Sequence, residues 1–598
     1  MVQAKSESCS FAAHLAVGRW TSVFASFLIM SGAGATYLFA NYSNDIKRNL
    51  EYNQSALNTL SSWKDIGTSA GILSGLVAEV TPTWFVLAIG SVTNFFGYFM
   101  VWLAVTGKIS KPKVWHMCVY MFIAANSQNF ANTGSLVTCV KNFSESRSIM
   151  LGLLKGYVGL SGSILTQIHS AIYGDDDSTS LILLIAWLPT LIIVLVMYTI
   201  REKEVKIRQP NEVKVFYHFL YISAALAAFL MAMTMIQQNV AFSRVAYAGS
   251  AVAVCILLFL PVVVAFRQEV LLWKQMKAPP STIIVEKPQA VEQLQNSSAN
   301  QAKEETKTSF FTYILNKPKR GEDYGILQAL LSIDMLIIFF STLVGLGSGL
   351  TVVDNMEQIR EALGYEPKTI KTFTSLISIS NYAGRVFSGF LSETLLRKYR
   401  VPRPVMLSAV LFLTCIGHLH IAFPFKGSVY LASLIIGFTL GAQLPLVLSI
   451  ISEIFGLKHY STLFNCGQVA IPVGSYLLNK ELTGRLYDRE ATKFHAMDGS
   501  DKNYLGKPLV CVGKQCFGLS FKIITVAVFF GALISLILVA RTLEFYKRDI
   551  HGRYRGESDT EFSDEKKETT EMTSPSILIM KPSETLMDVQ IKVAPVVE

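Results

Sequence analysis

The sequence predicts an all-α integral membrane protein with about fourteen transmembrane helices. Of its 598 residues, 51% are hydrophobic and 16% charged, against roughly 25% charged in an average soluble domain. Apolar runs free of charge recur along the chain at about the 20 residues that a helix needs to cross a bilayer. The mean hydropathy of +0.40 excludes a soluble multidomain enzyme. Low charge with high apolar content also excludes disorder over most of the length. The net charge of +10 falls between the apolar runs, which points to a membrane and not to nucleic acid. Eight cysteines are too few for a disulfide scaffold.

Charge-free runs cover 20–44, 80–107, 114–140, 156–174, 178–200, 215–243, 245–266, 335–353, 404–425, 427–452 and 523–540. The run 458–478 is moderately apolar and interrupted by glycine and proline. Two segments keep an apolar, small-residue character around internal charges: 56–80, with Lys64 and Asp65, and 369–392, with Arg385. The first run follows Arg19 and is too long for the apolar stretch of a cleavable signal, so it reads as a span.

With the N-terminus in the cytoplasm, fourteen spans return the C-terminus there. Cytoplasmic segments then hold 32 Lys and Arg against 17 on the exoplasmic side, as the positive-inside bias requires. The expected order is a cytoplasmic N-terminus 1–19, a first six-helix half 20–201, an extra helix pair 214–266, a linker 267–323, a second half 324–541 and a tail 542–598. Pro279 and Pro280, amid Gln, Asn, Ser, Lys and Glu, mark the linker as flexible. The tail, rich in Ser, Thr and Glu, reads as disordered, with Ser558 and Ser563 in acidic patches as candidate phosphate acceptors. Residues 480–519 read as an exoplasmic loop, in which Cys511 and Cys516, spaced across Gly513, are a disulfide candidate in an oxidising compartment.

Six plus six helices with an added hairpin resemble the fourteen-span form of the major facilitator superfamily. Gly384, Arg385, Gly389 and Glu393, followed by Arg397, Lys398 and Arg400, resemble its signature at the cytoplasmic end of the second helix of a half. Gly71, Gly75 and Glu79 keep the small residues and the acid in the first half, without the basic tail. Blocks at Arg19-Trp20, 37–43, 64–67, 154–162 and Thr166-Gln167 resemble the plant nodulin-like family, and 347–355 resembles the C-terminal domain of its nuclear-fusion-defective-type members. The resemblance, which covers about 18–550, implies a transporter class. The stretch 381–389 is also similar to its counterpart in oxalate/formate exchangers and monocarboxylate carriers, which implies that Arg385 binds a substrate carboxylate. Those exchangers use a lysine in the penultimate helix; here that helix offers Asn465 and Gln468 instead.

A charge inside the bilayer must face a partner or a polar interior. Arg385, near the midplane, offers a planar fork suited to carboxylate, or else forms an ion pair. Lys155, flanked by Gly152, Gly156 and Gly159, reads as a second anion contact or as a permanent salt bridge. Asp65 and Asp334, expected at similar depth, either titrate as ion-coupling sites on burial or neutralise Lys155 or Arg385. Lys64, adjacent to Asp65, is expected to point away from it. Tyr37 and Asn465 complete the candidate substrate contacts, although tyrosines in helices, including Tyr42, Tyr157 and Tyr382, more often serve packing. Scattered His116, His169, His418 and His420 show no metal-ligand spacing, and no phosphate loop or GxSxG appears. No cofactor and no enzyme activity are expected. The expected partners are a small-molecule substrate, the lipid bilayer and a coupling proton or counter-anion.

The sequence therefore reads as a secondary transporter of a small organic anion working by alternating access. Two alternatives stand beside it: a membrane sensor or scaffold with the same fold, and a carrier of sugar, amino acid or cation.

Overall fold

A computed structural model describes residues 10–52, 54–174, 178–203, 211–240, 242–277, 317–366, 369–497 and 511–547. Every regular element among them is helical. The first half comprises α1 (Ser10–Ala16), α2 (Arg19–Gly32), α3 (Phe39–Asn49), α4 (Gln54–Ser69), α5 (Ile72–Val80), α6 (Thr83–Val105), α7 (Val114–Asn142), α8 (Arg147–Ile172) and α9 (Ser178–Val196). Next come α10 (Glu212–Asn239), α11 (Arg244–Phe259) and α12 (Pro261–Lys277). The second half comprises α13 (Ile326–Leu330), α14 (Ile333–Asp354), α15 (Met356–Ala362), α16 (Thr369–Tyr399), α17 (Arg403–Ala422), α18 (Ser428–Ile454), α19 (Tyr460–Gln468), α20 (Ala470–Ser475), α21 (Arg485–Met497) and α22 (Gln515–Lys547).

Nine of these paths are long and apolar enough to cross a membrane: α6, α8, α9, α10, the α11–α12 pair, α14, α17, α18 and α22. Five further helical paths occupy the remaining runs of the sequence: α2–α3, α4–α5, α7, α16 and α19–α20. These carry internal polar groups or are broken. The α4–α5 break at Ala70 and Gly71 has a visible cause in its partners. Asn126 Nδ2 donates to the Gly67 and Ala70 carbonyls at 3.2 and 3.0 Å, and Asn129 Nδ2 donates to Gly67 at 3.0 Å. Amides of α7 thus satisfy backbone that the break frees, as a span in lipid demands.

The helices outrun several limits expected from charge-free runs. Helix α8 begins nine residues before 156, because Arg147 and Lys155 are inside it. Helix α12 takes 267–277 from the expected linker, and α22 takes 542–547 from the expected tail. The path through 460–475 continues in a π-helix (Tyr476–Gly484) and α21, so much of the expected exoplasmic loop is helical. Charge marks the limit of a run, whereas a helix ends where its backbone bonds end. Residues 278–316 of the linker, and the tail with Ser558 and Ser563, lie outside the described residues.

Within the first half α6 packs on α7 and α9, and α4 on α7; within the second α16 packs on α18, and α17 on α18 and α22. The halves meet chiefly through α8 against α16 and α5 against α19.

Candidate functional site

The α8–α16 contact depends on glycine. A Cβ built at Gly389 would lie 2.6 Å from the Ser148 carbonyl and 3.0 Å from the Gly152 Cα, so the two backbones touch with no room for a side chain. This approach brings Arg385, halfway along α16, against Lys155 of α8. Both are buried, at 6% and 5% exposure. An Arg385 Nη1–H donates to the Lys155 carbonyl oxygen, and the Arg385 Nε–H is buried without a partner.

Lys155 Nζ donates to Asn132 Oδ1 at 3.1 Å and lies 5.8 Å from the Phe464 ring centroid. Asn132 Nδ2 donates to the Gln128 carbonyl at 2.7 Å, which turns its oxygen toward the lysine. Two cations therefore sit side by side, and neither forms an ion pair with any carboxylate among the described residues. Chemically, this is a buried positive site with donor capacity to spare.

The two aspartates expected to neutralise it are engaged elsewhere. Asp334 is in the first turn of α14, at the helix end and not at depth, where it accepts from Arg320 Nε at 2.8 Å and Arg541 Nε at 2.6 Å. Asp65 pairs with Lys64 at 3.0 Å, and its side chain is 64% exposed. The depth expected for Asp334 fails because α14 starts one residue before it, and Asp65 opens to solvent instead of being buried. Lys64 does not point away, since its four-carbon stem curls back to its neighbour.

Asn465 is buried in the seam between the halves: its Nδ2 donates to Thr133 Oγ1 at 3.0 Å and to the Ser461 carbonyl at 2.8 Å, over Gly71. Tyr37 falls in the short 3-10 turn Ala35–Leu38, and its side chain lies outside the described residues. Cys511 and Cys516 form a disulfide. His418 meets Ser348 at 3.0 Å and His169 meets Ser180 at 2.8 Å. No group of three or more potential metal ligands gathers among the described residues.

Beside this site, one end of the bundle is closed by bonds between the halves. Glu79 of α5 faces His459 Nδ1 at 2.9 Å and accepts from Ser461 and Thr462 at 2.6 and 3.1 Å. Arg147 donates to the Ser452 carbonyl, Arg397 to the Glu145 carbonyl, and Ser148 meets Ser392 at 2.8 Å. Behind them, the fully buried Arg403 is held by Glu393 at 2.6 Å and Glu453 at 2.7 Å, and Tyr546 donates to Glu453. The acid-and-glycine pattern noted in both halves thus has two uses: Glu393 staples its own half, whereas Glu79 reaches across to the other.

Sequence reading missed Asn132, Phe464, Glu79 and His459 as members of these clusters. A signal existed in the dense amide run Asn126, Gln128, Asn129 and Asn132 within an otherwise apolar helix.

Two helical halves joined by a glycine seam, with polar groups at their interface, define a major facilitator fold. The solved proton:xylose symporter XylE, bound to 6-bromo-6-deoxy-D-glucose, superposes with a TM-score of 0.53 at 13% identity, over 87% of this chain and 95% of that one. The family described as Nodulin-like matches residues 19–266, and the NFD4 C-terminal domain matches 321–548. The chain thus carries a Nodulin-like domain followed by an NFD4 C-terminal domain. Protein NUCLEAR FUSION DEFECTIVE 4 of Arabidopsis thaliana is 23% identical over 546 residues, 89% of this chain and 90% of its own length. Probable transporter MCH1 of Yarrowia lipolytica is 26% identical over 189 residues, 31% of this chain and 36% of its own.

Proposed function

We propose that this protein is a secondary transporter that carries a small organic anion, of carboxylate type, across a membrane by alternating access. The observation that carries the substrate class is the pair Lys155 and Arg385, buried at the junction of the halves with no carboxylate among the described residues to neutralise them. Burying unpaired charge is costly, and an anion entering between the halves removes that cost while binding. Arg385 Nε–H and the remaining Lys155 protons supply donors that suit a carboxylate. The named relatives support the transporter part: one is called a probable transporter and the solved neighbour is a proton symporter. That neighbour carries xylose, so the anion rests on this chain's own cations. Proton coupling and exchange for another anion are both compatible with the site.

In this reading the closed end is cytoplasmic, fourteen helices cross the membrane, and the structure represents the outward-facing state. A thermal-shift screen of metabolites against purified protein tests the class. Organic anions should stabilise the wild type and lose that effect in Arg385→Lys. Stabilisation by neutral sugars alone, unchanged in Arg385→Lys, would reject the anion.

A further inference from the structure

Opposite the closed end, a second polar cluster brings the two halves together, and nothing above assigns it a role. Asn479 belongs to the π-helix Tyr476–Gly484, a rare form that occurs at functional sites. Its Nδ2 donates to Asp354 Oδ2 at 3.0 Å, and its Oδ1 accepts from Asn355 Nδ2 at 2.7 Å. Asp354 is the last residue of α14 and is exposed. Across the junction, α4 of the first half touches α20, which leads directly into the π-helix. Helix α4 carries Lys64, whose ammonium is held by the exposed Asp65 at 3.0 Å and lies 5.2 Å from the Phe39 ring centroid. Helix α14, which ends in Asp354, packs on the same α20, so the helices that carry Lys64 and Asp354 share one neighbour at the junction.

We propose that Lys64, Asp354 and Asn479 form a gate at this end, in which Lys64 leaves Asp65 for Asp354 when the two halves close over the site. The proposal rests on the carrier reading. In the present state each charge has a partner within its own half: Lys64 has Asp65, and Asp354 has Asn479. When the halves rock together, α4 and α14 approach, and a lysine shared between two carboxylates moves without passing through an unpaired state. Asn479 holds the Asp354 carboxylate in place for that transfer. An exposed pair is worth little, which suits a contact that must break in every cycle. At the other end Glu79 does the equivalent work with fixed hydrogen bonds to His459, Ser461 and Thr462.

The test is a distance measurement between spin labels in the reconstituted full chain. Labels at Lys108→Cys and Lys426→Cys report this end, and labels at Glu202→Cys and Lys398→Cys report the other. Cys255, the exposed free cysteine among the described residues, and Cys9 are replaced by serine. Lys64→Gln and Asp354→Asn should each lower the short-distance population at this end about five-fold. Asp65→Asn should raise it, because Lys64 loses its competing partner. The exchange of Lys64→Asp with Asp354→Lys should raise it too, because the attraction across the junction is kept while Asp65 no longer competes for the lysine. Two populations that ignore both Lys64→Gln and Asp354→Asn would overturn the gate and leave the carrier standing. The same holds if Asp65→Asn acts in the same direction as Lys64→Gln. A single fixed distance at both ends would overturn the carrier reading as well.

Discussion

Arg385 was legible from the sequence because a guanidinium in the middle of an apolar stretch has few ways to exist. Its neighbourhood was not legible, since Asn132 and Phe464 are ordinary residues until α7, α8 and α19 are brought together. Asp65 and Asp334 were misjudged because depth was counted from the ends of apolar runs: Asp334 sits in the first turn of α14, held by two arginines, and Asp65 is exposed. The absence of an acidic partner among the described residues separates binding from stability. Arg385→Lys keeps the charge but loses the fork, so substrate flux should fall steeply while the detergent-extracted protein keeps its melting temperature. Lys155→Gln should weaken anion binding by about 1–3 kcal/mol, measured by titration calorimetry, with little loss of stability. Glu453 should behave in the opposite way. Arg403 is fully buried between Glu393 and Glu453, so Glu453→Gln should destabilise by about 3–5 kcal/mol. A large drop in thermal midpoint, with ligand affinity retained in the folded fraction, is the expected outcome.

Among the elements, uninterrupted apolar helices such as α6, α17 and α18 were read almost to their ends, because hydropathy alone governs them. Broken ones were harder. The path through 460–484 combines α-helix and π-helix, and no periodic pattern announces a change of backbone bonding. The α8–α16 seam depends on Gly389 facing Gly152, and this makes a specific prediction. Gly389→Val would press a branched side chain into the Ser148 carbonyl, so the closed end should loosen. Alkylation of Ser392→Cys, buried in that seam, should then be faster than in the protein with Gly389 intact; an equal rate would show that the seam is not the limiting contact. Topology is tested with tags at residue 290, at residue 500 and at the C-terminus. Protection on the exoplasmic side is expected at 500 only, and opposite sidedness of 290 and the C-terminus would reject the fourteen-span arrangement.

For the whole molecule, composition and run count conveyed the membrane class and the bipartite plan, because a bilayer imposes the same length on every crossing. The closed end was not legible, since it depends on a conformational state and a sequence specifies more than one. Glu79 belongs to a pattern visible in the first half, yet its partner His459 is 380 residues away. A sensor built on the same fold would bind an anion without moving it. Counterflow in vesicles loaded with the stabilising anion separates the two: uptake is expected, and binding without uptake would favour the sensor.

Helices α10 to α12 are attached unevenly. They join the first half through the reciprocal amide pair of Gln167 and Gln237, through Ser250, and through Glu269, which accepts from the Trp20 backbone N–H. Phe216 and Phe219 add ring contacts to Trp20. The second half is reached by the Tyr382 hydroxyl donating to Ser223 and by Tyr217 beside Phe390. For protein engineering, that asymmetry makes the hairpin a handle. An antibody fragment or fused marker domain grafted between α10 and α11 would travel with one rigid body only, adding mass for electron microscopy without pinning the molecule in a single pose.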